Sequence, residues 1–365
     1  SGSRAIERFT GPQIRKFWKA EPAAYAATAE VTLVSAFMAS VLSGQSAPID
    51  YGDGAGMNLL ELQTGRYSPA LLEATAPELE RRLPKAVPSA TRVGAVAPYF
   101  VSRYGFAPGT PVIAFTGDNP SSLVGMGATE PGTFVISLGT SDTVFAAMRE
   151  PRTDPRGYGH VFGNPAGGFM CLISFANGSL ARELVAGRVG LSWPAFERAL
   201  LEETKPGNEG SWMLPYFFPE MTPKLSEPHV ELHGSAAFRA FREPAANARA
   251  IIEAQALSMQ RHSDWIGQAP KCLRVTGGAS KNRGILRVLA DVFEARIEVL
   301  KSSSSAALGG ALRAAQAVED LPWAELYARF VAPEPGGGLE SRPDSALAYR
   351  ELRANFADKW RALGV

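Results

Sequence analysis

The sequence predicts an α/β protein of two domains. Three observations carry that prediction. The chain has 365 residues, 45% of them hydrophobic and 20% charged, which is enough apolar material for two cores. Short apolar runs end in Gly-rich turns and are followed by helical patterns, the alternation expected of an α/β sheet. Near the middle, "TFVISLGTSDTVFAAM" places two β-rich runs around a Gly-Thr-Ser turn and reads as a hairpin.

Bulk charge narrows the function classes. Lys+Arg 37 against Asp+Glu 36 leaves a net charge of +1, so nothing electrostatic favours a nucleic-acid or membrane partner. No apolar run approaches the length of a membrane span, and Ala26 to Leu42 is broken by Thr28, Glu30, Thr32 and Ser35. Cys171 and Cys272 sit in apolar contexts, so buried free thiols are expected, which suits a reducing cytosol and a cytoplasmic protein. His229 and His233 have a metal-like spacing, but "EPHVELHG" is bounded by Pro and Gly and is not helical, which argues against a zinc site. No metal ligands are assigned.

The elements follow in order. "PQIRKFWKAEPAAYAATA" and "LVSAFMASVLSG" carry helical patterns, the segment "APIDYGDGAGMNLLELQTGRYS" reads as a loop, and Tyr67 to Leu83 continues as helix. Val112 to Phe115 reads as a buried strand that Thr116-Gly117 ends. Asp118 therefore stands at a strand's carboxyl end, where open α/β sheets place their ligands. Its position alone leaves two roles open: a cap for the helix that Pro120 begins, or an acid facing a ligand. Later, "CLRVTGGASKNRGILRVLADVF" gives strand, Gly-Gly turn and an amphipathic helix with Ile285, Leu286, Leu289 and Phe293 on one side. "RIEVLKSSSSAALGGALRAAQAV" repeats the theme, and a Pro/Gly loop precedes a final helix, Ala346 to Leu363.

Several groups could do chemistry. The turn Leu138 to Ser141 offers consecutive backbone N–H groups and two hydroxyls, suited to phosphate oxygens, although an ordinary hairpin has the same composition. In "TGGASKN" the paired glycines allow either close approach to a flat ligand or tight strand-to-helix packing. No G-x-x-x-x-G-K-[ST] occurs, and no Gly-x-Gly-x-x-Gly opens either unit. Asp50 and Asp53 in "DYGDGAG" lack EF-hand spacing and read first as an Asx/Gly turn. Trp18, Trp265 and Trp360 read as packing anchors.

The order of these features is more specific than any one of them. With "ERFTGPQI", "IDYGDGAGMNL", "FTGDNPSSLVG", "FVISLGTSDTVF", "GHVFGNP", "FANGSLARE" and "VTGGASKNRGILRVLADVF", the chain resembles the FGGY family of carbohydrate kinases over nearly its whole length. Within that family it is most similar to the eukaryotic-type members that phosphorylate D-xylulose. The resemblance implies an actin-like (ribonuclease H-like) two-domain fold, with ATP and Mg²⁺ as partners. It implies residues 1–130 as the latter part of a sugar-binding domain and 131–365 as the nucleotide-binding domain. It also implies Asp118 as the general base, and Arg8 and Asn119 as sugar contacts. Gly139, Thr140 and Ser141 become a phosphate loop, Gly277, Gly278, Ala279 and Asn282 adenosine contacts, and Trp193 a wall of the nucleotide pocket. A ribulose, gluconate or glycerol kinase, or a non-catalytic binding module, stays open on the residues alone.

Complete members of the family begin with a strand and an Asp-x-Gly-Thr-x-Ser turn, and no such block occurs in these 365 residues. The amino terminus, "SGSRAIERFTGPQIRKFW", has no initiator Met and no leader pattern. The expectation is therefore a chain whose first domain is incomplete, with apolar surface exposed beside Val112 to Phe115 and no xylulose-dependent ADP release on its own. If it did turn over, Asp53 or Asp142 would be the acid left to hold the metal.

Overall fold

The computed structural model describes residues 1–301 and 304–363. Two compact units divide the chain, and each is discontinuous in sequence. Unit 1 comprises Ser1–Pro131, Ala146–Leu172 and Ser304–Ala332; unit 2 comprises Gly132–Phe145, Ile173–Ser303 and Pro333–Val365.

Unit 1 opens with the helix Thr10–Ala20, which stops at Glu21 because Pro22 disfavours helical geometry in the residue before it. The expected single helix over this region is thus two, with Pro22–Ala27 as the second. Val34–Ser43 follows and ends on Gly44 in the left-handed region at φ 72°. Ile14, Tyr25, Ile49, Met57, Leu59, Leu72 and Leu79 form a buried cluster, with Trp18 packed against it. The helix expected from Tyr67 to Leu83 is shorter: Pro69–Thr75 is helical, Ala76 is extended ahead of Pro77, and Leu79–Arg82 is a 3-10 turn.

The strand expected over Val112 to Phe115 is Pro111–Ile113, antiparallel to Arg92–Ala95, so it ends before Ala114 and Phe115. Val112 and Ile113 are buried, with Val112 packing on Ala39, Ala47 and Val96, while Pro111 and Phe115 are only half-buried. On the neighbouring helix Val34–Ser43, Val34, Phe37, Met38 and Val41 are exposed at i, i+3, i+4 and i+7. A second strand pair, His160–Gly163 against the start of Phe169–Phe175, also belongs to unit 1.

Glycine lets two helices of unit 1 approach backbone to backbone. Asp118–Gly125 lies against Ser305–Glu319, and a Cβ at Gly309 would stand 1.7 Å from the Ser121 carbonyl oxygen. A Cβ at Gly125 would meet the Ser305 carbonyl oxygen at 1.9 Å. Ser121 Oγ closes the contact by donating to the Ala306 carbonyl at 2.8 Å. The small residues after Asp118 thus fix where its helix can sit.

Unit 2 is built on parallel strands. Thr133–Leu138 pairs with Cys272–Thr276, Cys272 opposite Thr133 and Thr276 opposite Ser137, and Arg296–Val299 pairs in parallel on the far side. Asn282 caps the next helix, Arg283–Phe293, its Oδ1 accepting from the Ile285 N–H at 3.0 Å. Ile285, Leu286, Leu289 and Phe293 are buried as the pattern predicted, and Cys171 and Cys272 are buried free thiols. Trp265 and Trp360 are buried too. His229 and His233 lie on a strand, and among the described residues no three His, Cys, Asp or Glu side chains group as metal ligands. No described helix is long and apolar enough to cross a membrane.

Replacing Gly309 by Ala should lower stability by about 1–3 kcal/mol or more, because the added methyl meets backbone that cannot turn aside. Gly187→Ala is the control. That glycine lies in the helix Ser179–Arg188 with nothing within 4 Å of a built Cβ, so the change should stabilise by roughly 0.5–1 kcal/mol. Thermal melts of the two variants should move in opposite directions, and equal shifts would contradict the close crossing.

Candidate active site

In unit 1 the acids of the "IDYGDGAG" and "FTGDN" loops come together. Asp50 heads the short helix Tyr51–Gly54, accepting from the Gly52 and Asp53 N–H groups at 3.0 and 2.8 Å and from Ser89 Oγ at 2.6 Å. The Asx turn expected here is present. Burial pushes the Asp50 carboxyl up to about 6, against the pull of Ser89 and the two N–H groups. Asp53 accepts from Ser35 Oγ at 2.5 Å. Burial raises its carboxyl as well, Ser35 opposes the rise, and the charge of Asp118 adds to it.

The two loops touch through glycine. A Cβ at Gly117 would stand 2.9 Å from Asp53 Oδ1, and one at Gly52 would stand 2.5 Å from Thr116 Oγ1. Asp118 is the first residue of its helix, with Gly117 at the cap position. It is exposed, and its Oδ1 accepts from the Asn119 N–H at 2.8 Å and from Asn119 Nδ2 at 3.0 Å. One carboxylate oxygen therefore takes a first-turn N–H, while Oδ2 accepts from none of the described residues.

Arg8 lies by the strand His160–Gly163. Phe9 meets the His160 ring edge-on at 4.9 Å, and burial, aided by the Arg8 charge, holds the imidazole down to about 4 against the opposing pull of Asp154. At the end of that strand, a Cβ on Gly163 would stand 2.6 Å from the Tyr51 carbonyl oxygen. Arg8, His160 and the Asp50–Gly54 turn thus follow one another through unit 1.

In unit 2 the predicted nucleotide residues converge. Trp193, Gly278, Ala279 and Asn282 line one cavity of about 510 Å³ with Ser179 and Arg182. Trp193 is 46% exposed, unlike the buried Trp265 and Trp360. The two glycines of "TGGAS" differ in kind. Gly277 has φ +92°, and a Cβ there would stand 2.3 Å from the Leu138 carbonyl oxygen, so it serves packing. At Gly278 a Cβ meets nothing within 4 Å. Because the strands are parallel, this loop and the Gly139–Ser141 turn leave the sheet at the same end. Ser179 N–H donates to the Gly139 carbonyl at 2.9 Å, joining the turn to a helix that lines the cavity.

Asp142 is not available to a cation. It is fully buried, and Arg182 grips both its oxygens at 2.6 and 2.9 Å. Burial still raises its carboxyl, with Arg182 pulling the other way. Arg182, Ser179, Glu197 and Lys281 were not picked out from the sequence, although "FANGSLARE" contained the first two. A buried arginine has no signature in a one-dimensional pattern.

Comparison with known proteins gives these features a family. The FGGY family of carbohydrate kinases matches with its N-terminal domain over residues 1–125 and its C-terminal domain over residues 134–318. Xylulose kinases from Rattus norvegicus and Mus musculus are 41% and 40% identical, each over 98% of this chain. The chain spans 67% and 65% of their lengths. The crystal structure of a xyloylose kinase from Brucella ovis superposes with a TM-score of 0.88 at 23% identity, covering 100% of this chain and 74% of that one. The fold is accordingly the actin-like, two-domain α/β fold of these kinases. The chain belongs to the FGGY family of carbohydrate kinases.

Proposed function

We propose that the protein carrying this chain transfers the γ-phosphoryl group of ATP to D-xylulose, giving xylulose 5-phosphate, with Asp118 as general base. The observation that carries the reading is the state of the Asp118 carboxylate. It is the exposed member of a set of three acids, held at a helix start by Asn119, with Oδ2 open. A sugar hydroxyl is a poor nucleophile until such a group accepts its proton. The names of the relatives supply the sugar.

The other roles follow from the family resemblance, and the positions of the residues are compatible with them. Arg8 and Asn119 contact the sugar, and residues 1–130 supply the sugar-binding domain. Residues 131–365 supply the nucleotide-binding domain, with Trp193, Gly278, Ala279 and Asn282 around adenosine and Gly139, Thr140 and Ser141 at the phosphates. Gly277 holds the loop from behind. Bound with ATP, Mg²⁺ would neutralise charge on the transferring phosphoryl. The described side chains assemble no metal cage of their own, so no step is assigned to the ion.

Asp118→Asn, made in the full open reading frame, should lower kcat on the order of a hundredfold or more, because the amide keeps the shape and cannot accept the proton. Binding of D-xylulose and ATP should change little. Near wild-type turnover would remove Asp118 from the mechanism, and a raised KM with unchanged kcat would make it a binding residue only.

Gly278→Val should raise the KM for ATP and leave the KM for D-xylulose and the melting temperature close to wild type, since its side chain projects into open space. Gly277→Val should instead fail to fold or melt early. Equal behaviour of the two variants in both assays would contradict the division of labour between the glycines.

A further inference from the structure

We propose that Asp142 and Arg182 are a positioning pair that gives the Gly139–Ser141 turn its phosphate-holding shape, and so sets preference for nucleotides that carry phosphate. The inference rests on the reading of that turn as a phosphate loop.

The turn is held at its Gly139 end and from behind, while its outer edge is left open. At the Gly139 end, the Gly139 N–H lies near the Asp142 carboxylate and opposes the rise that burial causes, and the Gly139 carbonyl accepts from Ser179 N–H at 2.9 Å. From behind, Gly178 lies so close that a Cβ would stand 2.6 Å from the Thr140 carbonyl oxygen. Thr140 and Ser141 are exposed, and their hydroxyls bond to none of the described residues.

The carboxylate that closes the turn is itself held rigid. Arg182, whose side chain is 1% exposed, grips it with two nitrogens and donates onward to Gln255 Oε1 at 3.0 Å and Ser179 Oγ at 3.1 Å. Gln255 Nε2 in turn donates to the Asn177 carbonyl at 2.6 Å and the Gly178 carbonyl at 3.2 Å. Through Gln255, on the helix Pro244–His262, the network returns to Asn177 and Gly178, just ahead of the helix that starts at Ser179.

Stability alone is a poor reason to keep such a pair. Taking two charges out of water costs about as much as their attraction returns, and an apolar pair of similar volume would serve a core as well or better. The planar fork of arginine fixes the direction of a carboxylate, which a lysine cannot do. Direction is what a turn needs if its N–H groups are to meet phosphate oxygens without rearranging.

The test compares affinities of the full chain for ATP, ADP and adenosine by calorimetry, with melting temperatures in parallel. The double replacement Asp142→Leu with Arg182→Met keeps the site filled and removes both charges. It should melt near wild type and lose about tenfold more affinity for ADP and ATP than for adenosine, whose cavity Arg182 also lines. Should that variant not fold, Arg182→Lys carries the test, with a smaller loss of the same selective kind. Equal weakening of ADP and adenosine, or no weakening of either, would overturn the positioning role while leaving the kinase reading intact. Wild-type protein that binds neither ADP nor adenosine would overturn both.

Discussion

At Gly277 the chain leaving one parallel strand lies on the backbone of the next, too close to Leu138 for a single β-carbon. Much of unit 2 depends on that approach. It brings the Gly278–Asn282 loop and the Gly139–Ser141 turn off the same end of the sheet, the carboxyl end at which open α/β sheets place their ligands. The cost is a glycine in a conformation that ordinary residues avoid. Its neighbour Gly278 carries no such burden, which is why the same two letters serve architecture at one position and the cavity at the next.

Unit 1 uses burial to sort three carboxylates. Asp50 is wholly enclosed and satisfied by backbone and Ser89, so it acts as part of the frame. Asp53 is partly enclosed and tied to Ser35. Asp118 alone faces solvent with an oxygen to spare. Burial is the main cause of the raised carboxyls of Asp50 and Asp53, and the neighbouring acid adds to each rise.

Much of this was legible in the sequence because it rests on local patterns. The strand, Gly-Gly turn and helix of "CLRVTGGASKNRGILRVLADVF" followed from periodicity and from glycine's conformational freedom, and the Asx turn at Asp50 from composition. Two helix boundaries were misjudged where a proline, Pro22 or Pro77, acts on the residue before it. What no local pattern could reveal was the network joining Asp142, Arg182 and Gln255, whose members lie 40 and 73 residues apart. Each of these side chains, taken alone, reads as a surface residue. Only the folded chain brings them under one turn.

The most direct measurement of the central claim is a structure of the full protein with D-xylulose and a non-hydrolysable ATP analogue bound. The account predicts an Asp118 oxygen within about 2.6–3.2 Å of the sugar's terminal hydroxyl. It also predicts adenosine beside Trp193 and Gly278, and the phosphates on the Gly139–Ser141 turn. A sugar hydroxyl directed instead at Asp53, or a nucleotide bound away from that turn, would contradict it.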